Sequence, residues 1–297
     1  MNSVPIRLGH HEAFTWCRDL TRRRARNFYY GLKLLPEPKR SALYAIYAWM
    51  RHADDLIDDA TDGSTASSHL ERFVSNTELA LSGTAPGQEP MWLALMEVAR
   101  SWPLDPAQFK MMIAGQTADL HDRIIETPDH LLEYCRQVAS SVGIICIDIW
   151  GHTDPAAREL AVERGIAFQL TNVLRDLGED LEMGRCYLPA IQMREAHLSR
   201  DSLMAWSPID RCEALVAGWI ETAKAAYIRS APLDDMIAKD CRPTLWAMTT
   251  IYRELLDRIA RDPQRVVKDR RIRLNALHKT SIALKAKWMA RSGGSAR

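Results

Sequence analysis

Residues 39–59 read KRSALYAIYAWMRHADDLIDD, and the order of apolar and polar positions in that stretch decides the fold. Leu43, Ile46, Tyr47, Met50 and Ile57 fall near i, i+3, i+4, i+7 and i+14, which places them on one helical face, and Pro36 and Pro38 stand just before it as a start signal. Working outward, the same period recurs over 70–81, 91–101, 106–126, 128–150, 155–181, 209–229, 243–260 and 271–288. Strict alternation is nowhere sustained, so no sheet is predicted. The breakers between these stretches, such as Asp62-Gly63-Ser64 and Arg261-Asp262-Pro263, are too short and too varied for domain linkers and read as helix connections. The expectation is all-α: one domain over residues 1–297, its core at about 15–290 and a flexible tail at 291–297.

Composition sets the outer limits. With 47% hydrophobic and 26% charged residues, and 39 Lys+Arg against 38 Asp+Glu, the chain has the balance of a globular enzyme. The longest apolar run, 142–151, is broken by Asp148 and falls short of the roughly 20 residues a membrane helix needs. No apolar leader follows the start, so a cytoplasmic protein is expected. Six cysteines without a CxxC pair argue for reduced thiols over a zinc knuckle or a redox dithiol.

Two acidic motifs are the informative feature. Ala53-Asp54-Asp55-Leu56-Ile57-Asp58-Asp59 ends the 39–59 helix. There Asp54 and Asp58 project from one face, about 6 Å apart along the axis. Such like charges near a helix C-terminus cost stability unless cations attend them. In the second motif, Gln169, Asn172, Asp176 and Asp180 follow spacings of three, four and four down a helix that is otherwise apolar, with Arg175 among them. Either motif alone reads as a solvated face, since acidic patches are common on helix surfaces. Paired carboxylates on two helices are the hard oxygen ligands that Mg²⁺ accepts together with phosphate oxygens. Arg51 and Arg175 are then positioned in sequence to meet the phosphate charge, and neither a P-loop nor a dinucleotide fingerprint competes with that reading.

At this point the chain resembles the squalene and phytoene synthase family of head-to-head prenyl transferases. The resemblance runs from about residue 28 to 268 and is carried by Phe28-Tyr29-Tyr30, Leu34-Leu35-Pro36, the 45–59 segment, Val138-Ala139-Ser140-Ser141-Val142-Gly143, the 167–180 segment and Gly184-Arg185-Cys186-Tyr187-Leu188-Pro189. It implies a helical isoprenoid-synthase bundle of about ten helices around a deep central cavity. It further implies several Mg²⁺ ions held by Asp54, Asp58, Asp176 and Asp180, with Asn172 and Gln169 on the same wall. Arg51, Arg175, Tyr252 and Arg265 match positions that contact diphosphate, and Phe28 and Tyr47 match positions around the prenyl chains. The family often carries serines where this chain has Arg24-Ala25-Arg26-Asn27, so Arg26 or Asn27 is expected to take over that phosphate contact. The small run with Ala139 and Gly143 reads either as room for a prenyl tail or as a close helix crossing. Asp119 matches a family acidic position and is expected in a structural ion pair.

The implied reaction joins two farnesyl diphosphates through presqualene diphosphate towards a C30 product, the alternative being two geranylgeranyl diphosphates giving phytoene. A head-to-tail synthase, a terpene cyclase and a noncatalytic helical protein are the rivals. NADPH use is left open by the resemblance, as are oligomeric state and the fate of the cyclopropyl diphosphate. Eleven Lys+Arg against Asp262 and Asp269 make residues 261–297 basic. Nucleic-acid motifs are lacking, so no nucleic-acid partner is expected. Leu274, Leu277, Leu284 and Trp288 with Lys279, Lys285 and Lys287 read as an amphipathic helix that touches the inner membrane face peripherally, or as a tail helix packed on the domain.

Overall fold

Proline and glycine punctuate the chain where its helices start and stop. The computed structural model describes residues 9–25, 27–58, 63–117, 124–268 and 272–292. The first half contains α1 (His11–Arg24), α2 (Asn27–Leu32), α3 (Lys39–Asp58), α4 (Gly63–Leu81), α5 (Pro90–Ser101) and α6 (Pro106–Thr117). A long rod follows, made of α7 (Pro128–Cys135), a π-helical turn (Arg136–Ser140) and α8 (Ser141–Trp150), and after it come α9 (Ala157–Arg175) and α10 (Leu177–Glu182). The remainder is α11 (Ala190–Glu195), α12 (Arg200–Ala205), α13 (Ile209–Arg229), α14 (Leu233–Met236), α15 (Arg242–Arg261), α16 (Arg265–Lys268) and α17 (Ala276–Ser292). Among the described residues there is no strand, only an isolated bridge between His152 and Ile237.

Local chemistry accounts for the boundaries. Pro128 opens α7 in its first turn, where a missing N–H costs nothing, and the Thr127 side chain accepts from the His130 N–H at 3.3 Å. Gly151, at φ 82°, turns the chain out of α8 in a conformation that favours glycine.

Several expectations are corrected. Within the stretch predicted over 106–126, Pro106–Thr117 is helical and Ile124–Glu126 is irregular. The stretch predicted over 155–181 begins at Ala157 and bends at Asp176, whose φ of −100° and ψ of 4° leave the helical range. The helix predicted from Arg271 begins at Ala276, because Ile272 and Leu274 are drawn into the core as irregular chain. The helices α1 and α2 had not been predicted. In α1, buried Ala13, Phe14 and Cys17 lie beneath a surface of charged residues dense enough to mask the period.

The core forms in two clusters. One gathers Trp49, Phe73, Trp92, Phe109 and Ile145 among α3, α4, α5, α6 and α8; the other gathers Leu170, Leu174, Trp219, Leu255 and Ile259 among α9, α13 and α15. Val162 of α9 packs against both. All six cysteines are free, and burial pushes the Cys17, Cys146 and Cys241 thiols up to about 12, which suits packing and not nucleophilic chemistry. No helix among the described residues is long and apolar enough to cross a membrane.

Candidate active site

Two cavities adjoin where α3, α9 and α15 converge. A wide vestibule of about 1040 Å³ holds Asp54 and Arg175, and a narrower apolar chamber of about 240 Å³ runs inward between α3, the α7 to α8 rod, α9 and α15. Tyr47, Met50, Asn172 and Tyr252 line both and form the neck between them.

On α3, Arg51 lies one turn before the acids. Its guanidinium pairs with Asp55 and stands 3.8 Å from Asp54, which answers the repulsion the sequence raised. Gln116 of α6 donates its amide to Asp54, and its own Oε1 is buried without a hydrogen bond. Gln116 had not been singled out, since a residue 62 positions from Asp54 gives no local signal.

On α9 the helical hydrogen bonds carry through the bend: Asp176 N–H donates to Asn172 O and Asp180 N–H to Asp176 O, both at 2.9 Å. The spacing of four therefore survives across the α9 to α10 junction. Arg175 grips Asp176 with two hydrogen bonds, one of them Nε to Oδ1 at 2.8 Å. Burial works against the Arg175 charge, yet bonding to Asp176 and the field of that carboxylate hold its pKa above the ordinary arginine value. The Tyr252 hydroxyl bonds to Arg175 and Asn172, and its ring stacks on Phe168 at 4.6 Å. Burial raises the pKa of both Tyr47 and Tyr252, so the neck presents neutral phenols. Asn172 donates to Gln169 Oε1 at 3.1 Å and keeps its own Oδ1 buried without a hydrogen bond.

The structure thus brings Tyr47, Asp54, Asn172, Arg175 and Tyr252 to one opening. Gln169, Ala139 and Gly143 line the apolar chamber below. Of the small run, Ala139, Val142 and Gly143 line the chamber, while Ser140 lies so close to α9 that its hydroxyl donates to Val162 O at 2.8 Å. Arg265 opens α16, which packs on α10, and it lines neither cavity. The Asp58, Asn27 and Phe28 side chains, and Arg26 and Asp119 altogether, lie outside the described residues. Among the described residues no group of three His, Cys, Asp or Glu is assembled around one point.

Two further features come from residues scattered in sequence. Arg24, Lys33, Arg40, Arg175, Arg273, Lys279 and Lys287 line the vestibule, and Asp54 is the acid among them. This is a strongly anion-attracting entrance. Trp150, Leu233 and Leu245 also line the chamber, together with Arg164. That buried guanidinium donates four hydrogen bonds, to Ser230 Oγ and O at 2.9 Å, Asp234 at 3.1 Å and Thr249.

A basic vestibule that opens on an apolar chamber, in an all-helical frame, suits a ligand with an anionic head and an apolar tail. Comparison with known proteins narrows the class. The chain matches the model of the squalene/phytoene synthase family over residues 21–278 and belongs to that family of prenyltransferases. It is 35% identical over 282 residues to a phytoene synthase of Mycobacterium tuberculosis, covering 93% of this chain and 90% of that protein. With the 15-cis-phytoene synthase of Synechococcus elongatus it shares 32% identity over 271 residues, 87% of each chain. Among solved structures, a dehydrosqualene synthase bound to ligand superposes with a TM-score of 0.84 at 31% identity, covering 95% of this chain and 98% of the other.

Proposed function

We propose that the enzyme joins two farnesyl diphosphates head to head, forming presqualene diphosphate on the way to a C30 product. The observation that carries the reading is the neck itself, where Asp54, Arg175 and Asn172 line the basic vestibule and Asn172 also lines the apolar chamber that adjoins it. In the first step the allylic C–O bond of one substrate breaks and its diphosphate departs. The resulting cation is attacked by the double bond of the second substrate, and loss of one proton closes the cyclopropane. Two substrates thus give one cyclopropyl diphosphate, one diphosphate and one proton.

The donor set suits Mg²⁺: carboxylate oxygens of Asp54 and Asp176, with Asp58 and Asp180 from the same motifs, and the buried Asn172 Oδ1 that accepts no hydrogen bond, with no sulfur or imidazole among them. Held by these groups, Mg²⁺ would supply Lewis-acid neutralisation of the charge on the departing diphosphate. Arg175 adds fixed positive charge at the same opening, Arg51 stands beside Asp54 on α3, and the basic vestibule draws the anionic substrates in. The neutral rings of Tyr47 and Tyr252 and the flanking Phe168 exclude water and offer their faces to the carbocation. Gln116 holds the Asp54 carboxylate in orientation. Gln116→Leu is expected to raise the Mg²⁺ concentration needed for half-maximal activity roughly tenfold or more, as loss of a ligand-orienting bond does, with an unchanged melting temperature. Metal titration of turnover and thermal unfolding check the two halves of that statement.

Chain length has two readings. The C15 reading is supported by the likeness to a dehydrosqualene synthase and by the modest chamber of about 240 Å³. The C20 reading, two geranylgeranyl diphosphates giving phytoene, is supported by the phytoene synthases among the relatives. Mass analysis of products from each substrate, with and without NADPH, tests both. The C15 reading expects a C30 product from farnesyl diphosphate at a kcat/KM well above that for the C20 substrate, and faster phytoene formation overturns it.

A further inference from the structure

The last helix carries two apolar faces. Its inner face, Ile282, Ala286 and Met289, is buried in the packing of α17 on α15. Its outer face holds Leu277, Leu284 and Trp288, which are 84%, 63% and 67% exposed. These three are seven and four residues apart, so they fall within about 40° of one another around the axis, and the buried residues lie about 120° to 180° from Leu277. An ordinary tail helix needs only the inner face. The outer stripe is a separate feature, and Leu274, expected to belong to it, is instead buried in the core.

Charge identifies what the stripe meets. Between Ala276 and Ser292 the helix has no acidic residue. Lys285 and Lys287 stand about 80° to either side of the stripe, where long stems lie along apolar material while the ammonium groups reach polar surroundings. Lys285 already lies 5.1 Å from the Trp246 ring centroid, its stem along the helix surface. A leucine and tryptophan stripe flanked by lysines matches the interface of an anionic bilayer, with apolar groups in the acyl boundary and cations among the headgroups. A second copy of the chain would bring the same lysines against one another. The helix also borders the entrance: Leu284 and Lys287 line the vestibule together with Lys33, Arg40 and Arg273.

We infer that α17 is a membrane-docking helix, which seats the vestibule against an anionic lipid surface so that prenyl chains pass between bilayer and chamber. The docking is peripheral and electrostatic as well as apolar. It weakens with salt, because exposed charges are screened over about 8 Å at physiological ionic strength.

The test is cosedimentation of the full chain with vesicles, without substrate, so that its outcome is independent of the catalytic reading. Vesicles of phosphatidylcholine alone are compared with vesicles containing one third phosphatidylglycerol, at low and high salt. Expected is binding to the anionic vesicles only, lost at high salt. Lys285→Glu and, separately, the pair Leu277→Ser with Trp288→Ser should each weaken it at least tenfold, since one charge near such a surface is worth about fivefold and a charge reversal counts twice. Lys110→Glu, on the exposed surface of α6, serves as the control and should reduce binding far less. Circular dichroism and sedimentation velocity confirm folding and mass for each variant. Equal binding to neutral vesicles, binding unchanged in the folded variants, or a fall from dimer to monomer on substituting the stripe would each overturn the inference, the last by making the stripe a contact between two copies.

Discussion

Turnover is expected to fall at least 100-fold when Asp54 or Asp176 is replaced by alanine, a loss of about 2.7 kcal/mol of transition-state stabilisation. The structure separates the two variants by what each carboxylate leaves behind. Removing the Asp54 carboxylate leaves Arg51 still paired with Asp55, both in contact with solvent, and takes one acceptor from the part-buried Gln116 amide. Its stability should therefore fall by about 1 kcal/mol or less. Removing Asp176 strips the partner from Arg175, whose side chain is only 11% exposed. An unpaired guanidinium at that depth costs on the order of 2 kcal/mol. Asp176→Asn keeps a hydrogen-bond acceptor for Arg175 and should recover part of that stability without recovering turnover. Steady-state rates at saturating Mg²⁺ and urea unfolding check the pair of effects. A folded Asp54→Ala enzyme with a tenth or more of the native rate would remove Asp54 from the proposed metal site.

Most of the helical frame was legible because burial on one face writes a period into sequence. α3, α5, α13 and α15 lie within a residue or two of their predicted bounds. What failed were elements whose stability is not carried by such a face. The short helices α11, α12 and α14 have four to six residues each, too few to show a period. The bend at Asp176 was hidden because apolar residues continue through it, Leu174 on one side and Leu177 on the other, both buried.

The site divides along the same line. Residues that act as motifs on one helix, Asp54 with Arg51 and Asn172 with Arg175, were visible from spacing. The basic vestibule was not, because Arg24, Arg40, Arg175, Arg273 and Lys287 come from different parts of the chain and share an opening only after folding. Arg175 had been read with its own motif and Arg273 and Lys287 within the basic 261–297 segment, while Arg40 had been assigned no role. Gln116 and the Arg164 cluster were hidden for the same reason, since each is defined by bonds to elements distant in sequence.

Gly165→Ala is expected to destabilise the protein by about 3 kcal/mol, whereas the same exchange at Gly218 should be neutral or stabilising by up to about 1 kcal/mol. Both glycines sit inside long helices, α9 and α13, where propensity alone favours alanine. Around Gly218 an added Cβ meets nothing within 4 Å, so propensity decides. At Gly165 the Cβ would stand 2.5 Å from Ser140 Cα and 2.7 Å from Ser140 N. Those are backbone atoms of the π-helical turn and cannot swing aside as a flexible side chain would. Relief requires α9 and the rod to separate, which stretches the bond from Ser140 Oγ to Val162 O and opens the wall that both Gly165 and Ala139 give to the apolar chamber. Turnover should therefore fall along with stability, because Gln169 and Asn172 ride on the same helix one and two turns further along. Urea midpoints of the two variants, measured side by side with product formation, decide the matter. Equal and small effects at both positions would mean that the close crossing of α9 over the π turn does not constrain the protein in solution.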